Sequence, residues 1–138
     1  MKKVFLLLAA ILIIGALNAQ VTYKATRAEW HLLNEYTQQW EPQAINEEVN
    51  INIVAYKDVI NIQAQRPSLY RISNKQNNRI KGFVGYRYDA FEYVDMKKCT
   101  VDVLRLEKDN SDIFMISIIV EEQGQYVNLR YFANMNQL

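Results

Sequence analysis

The chain has 138 residues, enough for one domain with a modest core. Its 16 basic and 15 acidic residues give a formal charge of +1, which excludes the strongly basic surface typical of nucleic-acid binding. One cysteine and one histidine exclude an intramolecular disulfide and a histidine-rich metal site.

The first residues have the layout of a secretory signal peptide. Two lysines precede eleven apolar residues, Val4 to Ile14, a run too short for a transmembrane helix of about twenty residues. Cleavage is predicted after Ala19, where no cysteine could carry the lipid of a lipoprotein. We therefore expect residues 1–19 to be removed and residues 20–138 to form a single β-rich domain in the periplasm or outside the cell. Loss of the two lysines leaves 14 basic against 15 acidic residues, so no attraction to anionic membranes is expected.

The segment from Val21 to Trp40 mixes helix formers with β-branched and aromatic residues. No capping box opens it, and we predict a strand rather than a helix. Pro42 then interrupts the pattern, and the polar stretch Glu41–Glu48 is predicted to be an irregular connection.

Strict alternation of apolar and polar residues from Val49 to Gln65 predicts a β-hairpin with one dry face. With the turn at Lys57 and Asp58, the inward pairs are Ile51 with Ala64, Ile53 with Ile62 and Ala55 with Ile60. A short strand, Leu69–Ile72, and a polar loop, Ser73–Asn78, are predicted to follow.

The next segments carry two glycines and many aromatic residues. A strand predicted from Ile80 to Tyr88 contains Gly82 and Gly85, which allow the bend that a barrel needs. A third hairpin is predicted to join Phe91–Val94 to Cys99–Leu106. Along its second strand the apolar residues move from odd positions (Cys99, Val101, Val103) to even positions (Leu104, Leu106), and this change of face predicts a β-bulge. The residues Asp109, Asn110 and Ser111 are predicted to form a turn.

The clearest pattern lies between Asp112 and Ala133 and predicts a complete hairpin. Gly124, after Gln123, supplies the positive φ of a tight turn. Each large apolar side chain buried contributes roughly 1.5 to 3 kcal/mol, so packing of the dry face fixes the register. The apolar pairs are Val120 with Val127, Ile118 with Leu129, Ile116 with Tyr131 and Phe114 with Ala133. Apolar residues on the second face, Ile113, Met115 and Ile119, predict a central strand.

These elements predict an all-β fold without a helix. We expect a single antiparallel meander of about eight short strands, curled into a small lipocalin-like barrel, because closure removes exposed sheet edges. A β-sandwich is the alternative.

Three short signatures carry a resemblance to known proteins. They are Trp40-Glu41-Pro42 ahead of the isoleucine-rich hairpin, Leu69-Tyr70-Arg71-Ile72, and Phe91-Glu92-Tyr93-Val94-Asp95 followed by Lys98-Cys99-Thr100-Val101. Together with the Asn-Ala-Gln that ends the signal, they resemble a group of small, exported, β-rich uncharacterised proteins of Bacteroidetes-type bacteria. The resemblance spans most of residues 20 to 133. It implies the fold and the compartment, and it implies no catalytic residues because that group has no agreed activity.

No catalytic constellation emerges from the residue types. His31 is expected to be a partly exposed strand residue, and Cys99, alternating with Val101 and Val103, a buried inert thiol. The carboxylates that a glycoside hydrolase could use show no distinctive spacing; they are Glu41, Glu47, Glu48, Asp89, Glu92 and Asp95. We predict no enzyme, no metal site and no cofactor, with a small glycan-acting hydrolase as the least favoured reading.

One cluster of aromatic residues and an arginine, within eleven positions of the chain, is the strongest candidate for a binding site. It consists of Phe83, Tyr86, Arg87, Tyr88, Phe91 and Tyr93. Aromatic residues and arginine anchor protein interfaces, stack on sugars and line barrel mouths, although ordinary cross-strand packing is the commoner role of aromatic residues in sheets.

Two binding functions follow from this cluster and the fold. The first is a non-catalytic exported binding domain that contacts an unknown protein or glycan at the cell surface through an aromatic face. The alternative is a lipocalin-like carrier of a small apolar ligand. Its cavity would be bordered by Ile51, Ile53, Ile62, Val120 and Leu129.

Overall fold

A computed structural model of the chain describes residues 20–108 and 112–136. Every regular element in these residues is a β-strand. They are β1 (Gln20–Asn34), β2 (Gln39–Asn46), β3 (Ile51–Tyr56), β4 (Val59–Gln63), β5 (Ser68–Ile80), β6 (Phe83–Glu92), β7 (Lys97–Leu106), β8 (Ile113–Glu122) and β9 (Gln125–Asn136). The predicted signal peptide, residues 1–19, and the predicted turn at residues 109–111 lie outside the described residues.

Eight of these strands form a closed antiparallel barrel. Strands β3 to β9 each pair with the next along the chain, and β1 closes the ring by pairing with β3 on one edge and β9 on the other. Strand β2 is additional and pairs with the second half of β1, beyond the end of β3. The predicted all-β meander and its closure into a small barrel are thus confirmed. The described residues include no helix that is both long and apolar enough to cross a membrane.

The middle of the barrel is packed solid with aliphatic side chains. The large residues there are almost completely buried, namely Ile53, Ile60, Ile62, Val101, Ile116 and Ile118. Two small buried residues, Ala25 and Ala133, are paired where β1 meets β9. The barrel therefore has a core across its waist, and any hollow lies towards its ends.

Two hairpins have the registers that their sequences predict. In β8–β9, Val120 pairs with Val127 and Ile118 with Leu129, and the pairing continues outward as expected. The turn residues Gln123 and Gly124 both have positive φ, 52° and 79°. In β3–β4 the inward pairs are likewise as predicted, with Ile53 opposite Ile62 and Ala55 opposite Ile60. Met115 is buried on the second face of β8, in keeping with a central strand.

The predicted irregular connection after Trp40 is wrong, because most of it forms β2. The first strand ends at Asn34, and Trp40 already belongs to β2. Pro42 is accommodated because β2 is an edge strand and because Pro42 pairs with His31, next to a register shift in β1. Seven of the eight β2 residues are exposed, so no apolar alternation marks the strand.

The predicted polar loop Ser73–Asn78 is also wrong, because it continues β5. A bulge lies between Ser73 and Gln76, and the side-chain amide of Asn74 donates a hydrogen bond to Asp89 Oδ2 at 2.8 Å. Strand β5 pairs with β4 only as far as Arg71, so its second half extends past β4 and is largely solvated. Polar residues are compatible with a strand in that position.

Strand β6 starts later and runs longer than predicted. A two-residue turn with positive φ at Lys81 and Gly82 precedes it, so the strand begins at Phe83 rather than Ile80 and continues to Glu92. The predicted bulge in β7 is wrong, since its pairing with β6 and β8 has no register shift. The apolar residues change face at Leu104 because this side chain lies on the outer face of the barrel and is completely buried beside Met115.

Gly85 permits a close approach between strands. A Cβ atom there would lie 2.2 Å from the carbonyl oxygen of Val103. The missing side chain also leaves room for Asn78, which reaches across β6 and donates a hydrogen bond to Asp102 Oδ1 at 3.2 Å. Strands β5, β6 and β7 are therefore tightly coiled at this end of the barrel.

We expect Gly85→Ala to lower the free energy of unfolding by about 3 kcal/mol or more, because the backbone of β7 would have to move. Gly82→Asn is the matched control. Its position has positive φ and open space around it, and asparagine tolerates that conformation at a cost of about 1 kcal/mol or less. Urea unfolding of the two variants makes the comparison, and equal losses would contradict the close approach at Gly85.

Candidate ligand-binding site

A hollow lies at the barrel end that carries the Lys81-Gly82 turn. It is open to solvent and has a volume of about 870 Å³, within the range of small-molecule pockets. Four aromatic rings line it: Tyr23, Tyr86, Tyr88 and Phe114. We call this hollow the aromatic cup. Its other lining residues are Asn77, Asn78, Arg79, Val84, Gly85, Val103 and Arg105.

The alternation of strand residues places the rings of the cup. On β6, Tyr86 and Tyr88 point inward and pair with Val103 and Val101 of β7. Their ring centroids are 6.5 Å apart. On the opposite side, barrel closure brings Tyr23 of β1 next to Phe114 of β8, with ring centroids 5.0 Å apart. The cup is thus assembled from strands that are far apart in the sequence.

Burial favours the neutral form of two tyrosine hydroxyls of the cup, those of Tyr23 and Tyr88. Burial, followed by the neighbouring Tyr88, raises the pKa of Tyr23. Burial and then Tyr86 raise the pKa of Tyr88. At neutral pH these phenols therefore offer uncharged hydroxyl groups and apolar ring faces.

Two arginines line the cup, and a lysine contacts one of its rings. Arg79 forms an ion pair with Glu107, with Nη1 2.6 Å from Oε2. The Nζ atom of Lys75 lies 3.8 Å from the centre of the Tyr86 ring, a cation–π contact. Arg105 lines the cup without an ion-pair partner among the described residues. None of the described residues that line the cup is acidic.

The structure divides the predicted aromatic cluster between two faces of the barrel wall. Tyr86 and Tyr88 line the cup, whereas Phe83, Arg87, Phe91 and Tyr93 alternate with them towards the outside. The other charged and aromatic residues of the cup lie outside the predicted cluster and come from four different strands; they are Tyr23, Arg79, Arg105 and Phe114. No local spacing marks them, and only the barrel register could have found them.

The outward residues of the cluster have two different environments. The guanidinium of Arg87 donates two hydrogen bonds, of 2.7 and 3.0 Å, to the fully buried carboxylate of Asp102, which raises the pKa of Arg87. Phe83 packs on Phe132, with centroids 6.2 Å apart. Phe91 and Tyr93 form an edge-to-face pair at 5.4 Å. Phe91 also borders an outer depression of about 410 Å³ that includes Arg71 and Lys98.

A second hollow, of about 430 Å³, lies at the opposite end of the barrel. Of the five residues expected to border a carrier cavity, Ile51, Val120 and Leu129 line it, whereas Ile53 and Ile62 belong to the packed middle. Two ion pairs, Arg66 with Asp95 at 2.7 Å and Lys97 with Glu122 at 3.7 Å, lie among its lining residues. Its charges are thus already paired.

Neither Cys99 nor His31 lines the cup. Cys99 lines the second hollow, and burial, followed by Glu92, raises the pKa of its thiol to about 11, so the reactive thiolate is disfavoured. His31 is 6% exposed rather than partly exposed, and its Nε2 lies 2.8 Å from Glu29 Oε1. Burial would raise the pKa of Glu29, but hydrogen bonds from His31 and Arg27 outweigh it and lower the pKa.

Within the described residues, five of the six candidate carboxylates, all except Glu48, accept hydrogen bonds from separate partners. Glu92 accepts hydrogen bonds from the backbone N–H groups of Val94 and Asp95, at 2.7 and 2.6 Å, and so caps the β6–β7 turn. Glu47 accepts from Arg27, and Asp89 from Asn74. Across residues 20–108 and 112–136, no group of three histidine, cysteine, aspartate or glutamate side chains could hold a metal ion.

Comparison with known proteins gives no match: no protein-family model, no curated protein and no solved structure matches this chain.

We expect the free energy of unfolding to fall as the pH rises above about 8, where an unfolded chain begins to release the Cys99 thiol proton that the folded chain retains, and to fall more steeply above about pH 10. An unfolded chain releases phenolic protons near pH 10, whereas Tyr23 and Tyr88 hold theirs to higher pH in the folded state. Tyr23→Phe should make this fall smaller. Urea unfolding between about pH 8 and pH 11 measures it.

Tyr36→Phe serves as the control, because Tyr36 is 99% exposed. It should reproduce the wild-type fall. If Tyr23→Phe did the same, the pKa of Tyr23 would not be raised in the folded state.

Proposed function

We propose that this chain is a non-catalytic binding protein whose ligand occupies the aromatic cup. The observation that carries the proposal is the convergence of four aromatic rings, from three strands, on an unfilled and solvent-open hollow of about 870 Å³. A ligand that covers these rings gains binding free energy of roughly 25 cal/mol for each Å² of apolar surface removed from water. The hollow is large enough for a ligand of drug-like size.

The polar groups of the cup support binding rather than catalysis. They are amides, guanidinium groups and neutral phenols, and no histidine, cysteine, aspartate or glutamate lines the cup in the described residues. Groups of this kind orient a ligand through hydrogen bonds. General acid–base catalysis at neutral pH ordinarily uses a group that titrates close to that pH.

We further propose that the domain acts outside the cytoplasm, in the periplasm or beyond the cell. The support is the signal-peptide layout of residues 1–19. A small barrel that holds a ligand at one end would serve there as a carrier or as a receptor.

A second candidate function is contact with a protein or glycan through the outer face. It is favoured by the Phe91–Tyr93 pair, in which Tyr93 is 41% exposed, beside Arg71 and Lys98. Exposed aromatic rings next to basic side chains are common anchors of interfaces. This surface lies outside the cup, so the two candidates can be tested separately.

We expect Tyr88→Ala to weaken the binding of N-phenyl-1-naphthylamine, a neutral fluorescent probe, about tenfold, because a loss of about 1.4 kcal/mol of ring contact corresponds to that factor. Fluorescence titration gives the dissociation constant, and thermal unfolding shows whether the variant is folded.

Tyr93→Ala is the matched control, since it removes an aromatic ring on the outer face. Its dissociation constant for the probe should equal that of the wild type. A folded Tyr88→Ala protein that bound the probe as tightly as the wild type would remove the aromatic cup as the site.

A further inference from the structure

We infer that the ligand of the aromatic cup carries an anionic group, held at the rim by Arg105 and Arg79, with its apolar body against the four rings. The inference rests on the proposed function and specifies the chemical class of the ligand. That class is a small amphiphile with a carboxylate, sulfonate or phosphate at one end.

The first support is the position of the two arginines. Val84 of β6 pairs with Arg79 of β5 on one side and with Arg105 of β7 on the other. All three residues line the cup. The tight coiling at Gly85 draws β5 and β7 together, so both arginines belong to one edge of the rim.

The second support is an uncompensated positive charge at this edge. Five of the seven arginines in the chain form ion pairs, and Arg130 donates a hydrogen bond to Asn128. Arg105 alone has no side-chain partner within residues 20–108 and 112–136. Glu107 compensates Arg79 only, and Lys75 contacts a ring rather than an acid. Among the described residues, the carboxylate of Glu107 is thus the one acid that forms an ion pair with any of these three cations.

The third support is the order of side-chain types from the rim of the cup to its floor. The cations lie at the mouth, the rings of Tyr86 and Tyr88 follow along β6, and the packed aliphatic middle closes the floor. A guanidinium group can donate two parallel hydrogen bonds to a carboxylate or phosphate. Such an ion pair gains strength where neighbouring rings exclude part of the water. An amphiphile with an anionic head matches this order.

A neutral sugar is the main competitor for the cup. It would stack on the tyrosines and bond to amides such as Asn77, and it would have no use for the excess positive charge. The two ligand classes therefore differ in their dependence on Arg105, and that dependence can be measured.

The test uses two fluorescent probes that share their rings and differ in one sulfonate. They are 1-anilinonaphthalene-8-sulfonate, which is anionic, and N-phenyl-1-naphthylamine, which is neutral. Arg105→Gln should weaken binding of the anionic probe about tenfold and leave the neutral probe within about twofold. Raising the salt concentration from about 20 mM to about 500 mM should weaken only the anionic probe.

Two further variants control for charge and position. Arg105→Lys keeps the charge and should retain most of the anionic probe's affinity. Arg66→Gln, whose residue lines the second hollow at the other end of the barrel, should leave the affinities of both probes unchanged. Equal losses of both probes in Arg105→Gln would mean that Arg105 maintains the shape of the cup. That result would overturn the anionic class while the proposed function stands.

Other outcomes distinguish failure of this inference from failure of the proposed function. If the neutral probe binds through Tyr88 but the anionic probe ignores Arg105 and salt, the ligand is uncharged and the inference is wrong. If neither probe binds the wild-type protein, the proposed function itself fails. Displacement of the anionic probe by free laurate supports a soluble amphiphile. Displacement by phosphatidylglycerol vesicles but not by laurate would overturn a free ligand in favour of a membrane surface.

Discussion

The pairing of β1 with β9, from Thr22 to Leu32, closes the sheet, and the rest of the interior depends on it. Closure pairs backbone groups that would otherwise form two open edges. Strand β1 accomplishes it through a bulge between Ala25 and Arg27, which changes the side of the strand that faces inward. Before the bulge, Tyr23 and Ala25 face the core. After it, Leu32 faces Val127 on the inner side.

The unequal lengths of the strands explain why the barrel is solid in its middle and hollow at its ends. Strands β3 and β4 have six and five residues, whereas β5 has 13. All of the barrel strands cross the waist, where isoleucines and valines fill the space. Strand β5 runs on for nine residues after Arg71, its last partner with β4. The cup therefore has a high wall of β5 to β8 and is open on the side of β4.

The features predicted correctly from the sequence are strand registers that depend on residues close together in the chain. The β3–β4 and β8–β9 registers follow from strict alternation around short turns, because a one-residue slip would expose a whole apolar face. The β2 strand was missed because an exposed edge strand with Pro42 needs no apolar pattern. The second half of β5 was missed for a similar reason, since solvent covers it. The false bulge in β7 arose from Leu104, which is buried on the outer face.

The candidate site was only partly visible in the sequence for a different physical reason. Tyr86 and Tyr88 drew attention because aromatic residues cluster around them, yet alternation sends their neighbours Arg87 and Phe91 to the outer face. Tyr23 and Phe114 are 91 positions apart and meet only because the barrel closes. The function of a hollow depends on side chains gathered from several strands, and a local pattern cannot report that assembly.

Two sets of charged residues in this barrel differ in their pairing, and the difference is the reason why one of them is proposed as a site. On the outer face, Asp102 is fully buried but accepts three hydrogen bonds, two from Arg87 and one from Asn78. Removing one partner would leave a buried charge, so this network stabilises the wall. A ligand that bound there would have to break bonds already made. At the rim of the cup, Arg105 has no such bond to a side chain of residues 20–108 or 112–136, so an anion that bound there would break none of these bonds. Unpaired charge beside open aromatic surface, rather than the amount of charge, is therefore the physical basis for proposing the cup as the binding site.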